Sequence, residues 1–136
     1  MLEILQWLIA QMTGDATLTA IVPVANIFTG PVDVLVESQN ELLMPSIIIS
    51  GVSEVQRTVP QGARDTQVQV DIWSRNSQLE IENIYEEILN LLSFQIANQG
   101  SAHIFWDRLG GSVDMFETDR RIWHRAVTMT FWSIKP

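Results

Sequence analysis

The run Thr66-Gln67-Val68-Gln69-Val70-Asp71-Ile72-Trp73-Ser74-Arg75-Asn76-Ser77-Gln78-Leu79-Glu80 decides the fold class, because its periodicity changes part-way along. Val68, Val70 and Ile72 alternate with Gln67, Gln69 and Asp71. This predicts a strand over Thr66 to Ser74, with one face in the core and the other wet or paired with a partner. Ser77-Gln78-Leu79-Glu80 then has the pattern of a capping box, in which hydroxyl and carboxylate satisfy free amides at a helix N-terminus. Behind it Ile81, Ile84, Tyr85, Ile88, Leu91 and Leu92 recur at helical spacing. Glu80, Glu82, Glu86 and Glu87 sit mostly off that stripe and read as a solvated face that also suits the helix dipole. A strand running straight into a capped amphipathic helix is the centre of the expected fold.

Upstream, Leu2, Leu5, Leu8, Ile9 and Met12 predict a short amphipathic helix that stops near Gly14. Asp15 is the expected N-cap of a second helix over Ala16 to Ile21, limited by Pro23. Ala25 to Thr29 is the expected first strand, broken by Gly30-Pro31. From Pro31 to Met44, Val32, Val34 and Val36 alternate with Asp33 and Leu35, and the chain then turns polar at Glu37 to Glu41. This segment is either an extended arm or a poor strand. Ile47 to Val52 reads as a buried strand, and Arg57 to Ala63, with Pro60 and Gly62, as a loop.

Downstream, Ala102 to Leu109 is an expected strand, Gly110-Gly111 a tight turn, and Ser112 to Thr118 a strand pairing back. Asp119-Arg120 is a turn or bulge before a long final strand, Arg121 to Ile134. Helices and strands come in separate blocks. The expected fold class is α+β, a mainly antiparallel sheet with helices packed on one face, in one domain over residues 1–136.

Composition narrows the function classes. The chain has 136 residues, 46% of them hydrophobic, enough for a single core. Cysteine is absent, which removes disulfides, thiol nucleophiles and Cys-based metal sites. The net charge is −8 and Lys135 is the only lysine, so no basic stripe is available to hold a nucleic-acid backbone. No apolar run approaches the ~18 residues of a membrane span. Glu3 and the lack of a cationic start argue against a secretory signal and for synthesis in the cytoplasm.

No residue looks ready for chemistry. No serine sits in a nucleophile elbow, and Gly110-Gly111 lacks the lysine of a phosphate loop. His103 and His124, with Asp107, Asp114, Glu117 and Asp119 between them, can assemble a metal site only if their strands bring them together. Solvated strand and turn residues are the plainer account. The expectation is no catalytic, cofactor or metal site. Of the five tryptophans, Trp123 shares a face with Val127, Met129 and Phe131 and is expected in the core. Trp73, on the polar side of its strand, and Trp132, beside His124, Thr128 and Thr130, are candidate interface residues. The alternative for both is ordinary packing under a loop.

The order of elements, with Leu18-Thr19-Ala20-Ile21-Val22 early and Ile72-Trp73-Ser74-Arg75 running into an acidic helix, resembles the tail-completion, or tail terminator, proteins of tailed bacteriophages. Asp119-Arg120-Arg121 before the last strand, and His124-Arg125-Ala126-Val127 within it, add to the likeness. The resemblance covers most of the chain. It implies a non-enzymatic virion protein at the tail–neck junction, forming a homo-oligomeric ring, usually a hexamer. Such a ring ends tail-tube polymerisation, contacts the tail tube protein and the head connector or stopper protein, and lets DNA pass without specific binding. Pro31 to Met44 is longer and more acidic than that pattern leads one to expect. As an arm it would set Val32, Val34, Leu35 and Val36 against a neighbour, with Glu37 and Glu41 near solvent or the lumen. A head-side neck protein, or an unrelated small α+β binding module or enzyme, are the alternatives.

Overall fold

The computed structural model describes residues 2–30, 45–56, 62–92, 96–99, 102–118 and 121–134. The expected arm, with Val32, Val34, Leu35, Val36, Glu37 and Glu41, lies outside them. Helix α1 spans Leu2–Gly14 and helix α2 spans Ala16–Ile21. Asp15 caps α2 as expected: its carboxylate accepts the Leu18 amide at 3.1 Å. The expected strand from Ala25 begins later. Val24–Asn26 is a 3₁₀ turn, and β1 covers only Ile27–Thr29. Pro23 starts this turn by accepting the Asn26 amide at 2.8 Å, and the Asn26 side chain donates to the Pro45 carbonyl at 3.1 Å.

Strands β2 (Ser46–Gln56) and β3 (Ala63–Ser74) follow, then α3 (Gln78–Leu92), β4 (Ile96–Gln99), β5 (Ala102–Glu117) and β6 (Ile122–Ile134). They form one six-stranded sheet in the order β1-β2-β3-β6-β5-β4. Only β1 pairs in parallel, with β2; every other neighbouring pair is antiparallel. The fold is α+β as expected.

The core fills the space between the helices and one face of the sheet. Ile47 and Ile49, Val68, Val70 and Ile72, and Val127, Met129 and Phe131 come from the strands. Ile4, Trp7 and Leu8 of α1 and Ile81, Ile84 and Ile88 of α3 close over them. Trp7 meets Phe131 edge to face, ring centroids 5.8 Å apart. The helix stripe read from the sequence is the buried face, with Leu91 at its margin.

Half of the capping box forms. Ser77 Oγ accepts the Glu80 amide at 3.1 Å. The Glu80 carboxylate turns the other way, taking Ser74 Oγ and Asn76 Nδ2 at 2.8 Å each. This ties the end of β3 to the start of α3 and explains why the chain changes direction within three residues.

The expected hairpin at Gly110-Gly111 is corrected. β5 is one strand that runs beside β6 from His103 to Glu117, interrupted by irregularities between Trp106 and Arg108 and between Leu109 and Gly111. The glycines serve the second bulge. Gly111 holds φ at 137°, and a Cβ on Gly110 would come within 3.2 Å of the Thr128 carbonyl oxygen.

Candidate interaction surface

The face of the sheet away from the helices carries a compact polar cluster. Trp73 of β3 and His124 of β6 are register partners, as are Asp71 and Ala126. The imidazole stacks on the indole, and its Nε2 lies 2.6 Å from Asp71 Oδ1. The Gln69 amide donates to both Asp71 oxygens at 3.0 Å. Asp71, expected on a wet face, is fully buried. A buried carboxylate must find donors within the protein, and here two side chains supply them. Ile48, Trp73 and Ile122 form a small second core on this side, with Phe28 at its margin.

The candidate residues fall in different places. Trp73 is only 4% exposed and packs within the chain, with no acceptor for its Nε1 among the described residues. Trp132 is on the same face, partly buried, opposite Asp65 and Phe105. Trp123 is partly buried on the helix side, its ring 4.5 Å from that of Phe116. The six arm residues lie outside the described ones. His103 and His124 are not brought together. They pair with Ile134 and Met115, at opposite ends of the β5–β6 ladder, about 33 Å apart at ~3.3 Å per residue.

On the helix side Arg125 joins three elements. Its Nε donates to Asp114 Oδ1 at 2.6 Å and its Nη2 to Asp114 Oδ2 at 3.0 Å. Nη2 also reaches Glu82 of α3 at 2.7 Å, and the guanidinium sits 4.9 Å from the Tyr85 ring centroid. Gln78 completes the group with a 3.1 Å bond to Asp114. The Arg125 hydrogen bonds hold the Asp114 carboxyl below its ordinary pKa, and the same bonds raise that of Arg125. Glu82, read as part of a solvated face, thus has a partner inside the chain.

Among the described residues the sheet edges are only partly covered. β1 shields Ile47–Ile49 of β2, and from Gly51 to Gln56 no described strand lies outside it. β4 shields Ala102 to Phe105 of β5, and from Gly110 to Phe116 that strand is exposed throughout. Val52 and Val55 of β2, and Val113, Met115 and Phe116 of β5, are the exposed apolar residues of these stretches. An uncovered strand edge offers a row of amides and carbonyls to another chain. Among the described residues no group of three or more His, Asp or Glu side chains is placed to hold a metal.

Sequence reasoning missed the Asp71–His124 pair and both edges left open among the described residues. Each depends on the order β3-β6-β5, which brings together strands separated by a helix. The only signal in the sequence was an acidic residue and a histidine, each in an apolar strand.

No family model matches the chain, and no curated protein matches it in sequence. Its fold is that of a chain in the solved virion of a native gene transfer agent particle. The TM-score is 0.59, over 93% of this chain and 90% of that one, at 11% identity. At that identity the likeness is one of fold.

Proposed function

We propose that this chain is a virion structural protein without enzymatic activity, one subunit of a ring at the head-proximal end of a phage-like tail. The ring ends polymerisation of the tail tube and joins the tail to the head connector. The observation that carries this is the near full-length fold likeness to a chain of a gene transfer agent virion. The resemblance of Ile72-Trp73-Ser74-Arg75 and its following helix to tail terminators narrows the position within the particle. Two edges left uncovered among the described residues suit a subunit that finishes its surface by assembly. The net charge of −8 suits a ring through which DNA moves without being held.

The test is loss of the chain from a particle-producing host. Unjoined heads and tails, with tubes of uncontrolled length, are expected under the electron microscope. Full tails of normal length joined to heads would refute the proposal. Tails of normal length that fail to join would move the chain to the head side of the neck.

A further inference from the structure

We propose that copies of this chain join by strand pairing, the outer edge of β2 in one subunit against the outer edge of β5 in the next. The occupant of each edge left open among the described residues is a second copy of the same chain. The inference rests on the ring reading and specifies its contact.

β2 runs antiparallel to β3, β3 to β6, and β6 to β5, so β2 and β5 point in opposite directions. Setting the β5 edge of one subunit beside the β2 edge of another, with the helices of both on the same side, extends the antiparallel alternation of the sheet. Neither edge needs to turn over.

The short outer strands then fix where the neighbours meet. Ser50 is in register with Gln69, Thr128 and Gly111. Relative to that row, β1 covers the end of β2 at Ile47–Ile49, and β4 covers the opposite end of β5 at Ala102 to Phe105. Among the described residues the open stretches therefore lie at diagonal corners of the sheet, Gly51 to Gln56 at one and Gly110 to Phe116 at the other. Pairing them requires each subunit to be shifted along the strand direction, with β1 and β4 as stops. A staggered register of that kind is what a sheet needs to tilt and close on itself. The contact joins two different patches, so it repeats head to tail and gives a closed ring when the rotation fits.

The side chains agree with this use. Neither stretch contains lysine or proline, the usual guards of a free edge. The charges present are engaged inside the subunit: Glu54 lies 3.7 Å from Arg64, and Asp114 is held by Arg125. Val55 pairs with Asp65 and Val113 with Ala126, which places both valines on the helix-free face, each 60% exposed. On the helix side a cleft lined by Leu5, Thr29, Gly30, Ile49 and Ser50 opens where β1 ends. It is placed to receive the exposed Phe116 of the neighbour.

The chain has no cysteine, so introduced thiols report directly. Three variants of the purified chain, Val55→Cys, Val113→Cys and the double variant, are concentrated, treated with a short bismaleimide and run on denaturing gels. Native mass spectrometry of the untreated chain records its oligomers. The expected result is a ladder of covalent oligomers from the double variant, monomers from each single variant, and native rings. Native rings with no ladder overturn the edge contact and leave the ring reading standing. Covalent dimers from Val113→Cys alone overturn it in favour of two β5 edges meeting about a two-fold axis. A monomer at every concentration overturns both. Met115→Lys, at an exposed position, gives an independent arm: a folded chain by circular dichroism that no longer forms rings is expected, and undiminished rings would count against the contact.

Discussion

The His124 imidazole lies flat on the Trp73 indole, ring centroids 3.7 Å apart and planes within 5° of parallel. The stack holds the imidazole edge against Asp71, and Asp71 in turn holds Gln69. Polar and aromatic groups thus share one small core on the face without helices.

Asp71→Leu should destabilise the chain by about 1–3 kcal/mol, because it strands the buried His124 nitrogen and the Gln69 amide without their acceptor. His124→Phe keeps the aromatic stack and should leave Asp71 with Gln69 alone. The double variant should lose less than the sum of the two. Chemical denaturation of the four proteins checks this, and strict additivity would mean the pair is not coupled.

Arg125→Met removes both carboxylate contacts and the approach to Tyr85. A loss of about 1.5–3 kcal/mol is expected at neutral pH from the charge-assisted hydrogen bonds. The pH dependence has a definite sign. The folded pKa of Asp114 is depressed from 3.8, chiefly by the Arg125 hydrogen bond. Its contribution is present above that ordinary value and lost as pH falls through the depressed folded one. Melting curves of Arg125→Met should therefore approach those of the parent as pH falls through the depressed Asp114 value, below its ordinary carboxylate range. A constant gap across the acid range would remove Asp114 from the account.

Glu87 predicts the opposite sign. Its folded pKa is raised above 4.5, first by loss of water and then by the neighbouring Asp15 carboxylate. Its charged form is disfavoured at neutral pH, and the penalty is relieved as pH falls through the raised value. Glu87→Gln should raise the melting temperature near pH 7 and lose that advantage under acid. A lower melting temperature at pH 7 would contradict it.

Gly111→Ala should cost about 1–3 kcal/mol, since φ of 137° is open only to glycine. Gly110→Ala should cost less, because its neighbour Thr128 needs to yield by only a few tenths of an ångström. Equal losses in urea titrations would place the strain elsewhere.

Ile84→Asp should abolish folding. An unpaired charge on the fully buried stripe costs on the order of 4 kcal/mol or more, against a total of about 5–15. Glu82→Gln gives up one half-exposed contact to Arg125 and should cost about 0.5 kcal/mol. Thermal melts separate the two, and similar melting temperatures would mean that the helix buries another face.

The elements with local signals were legible in the amino-acid order. Apolar spacing set the faces of α1 and α3, Asp15 and Ser77 set two helix starts, and alternation in Val68, Val70 and Ile72 named the core side of β3. Those signals act within a few residues, so they are legible before folding. What lies across the sheet depends on strand pairing. Asp71 reads as a wet residue until β6 brings His124 to it, and Gly110-Gly111 reads as a hairpin because turns and bulges ask the same conformational freedom of glycine. The edges of β2 and β5 left open among the described residues follow from strand order, which pairs residues far apart in the chain, and periodicity carries no record of which strand lies next to which.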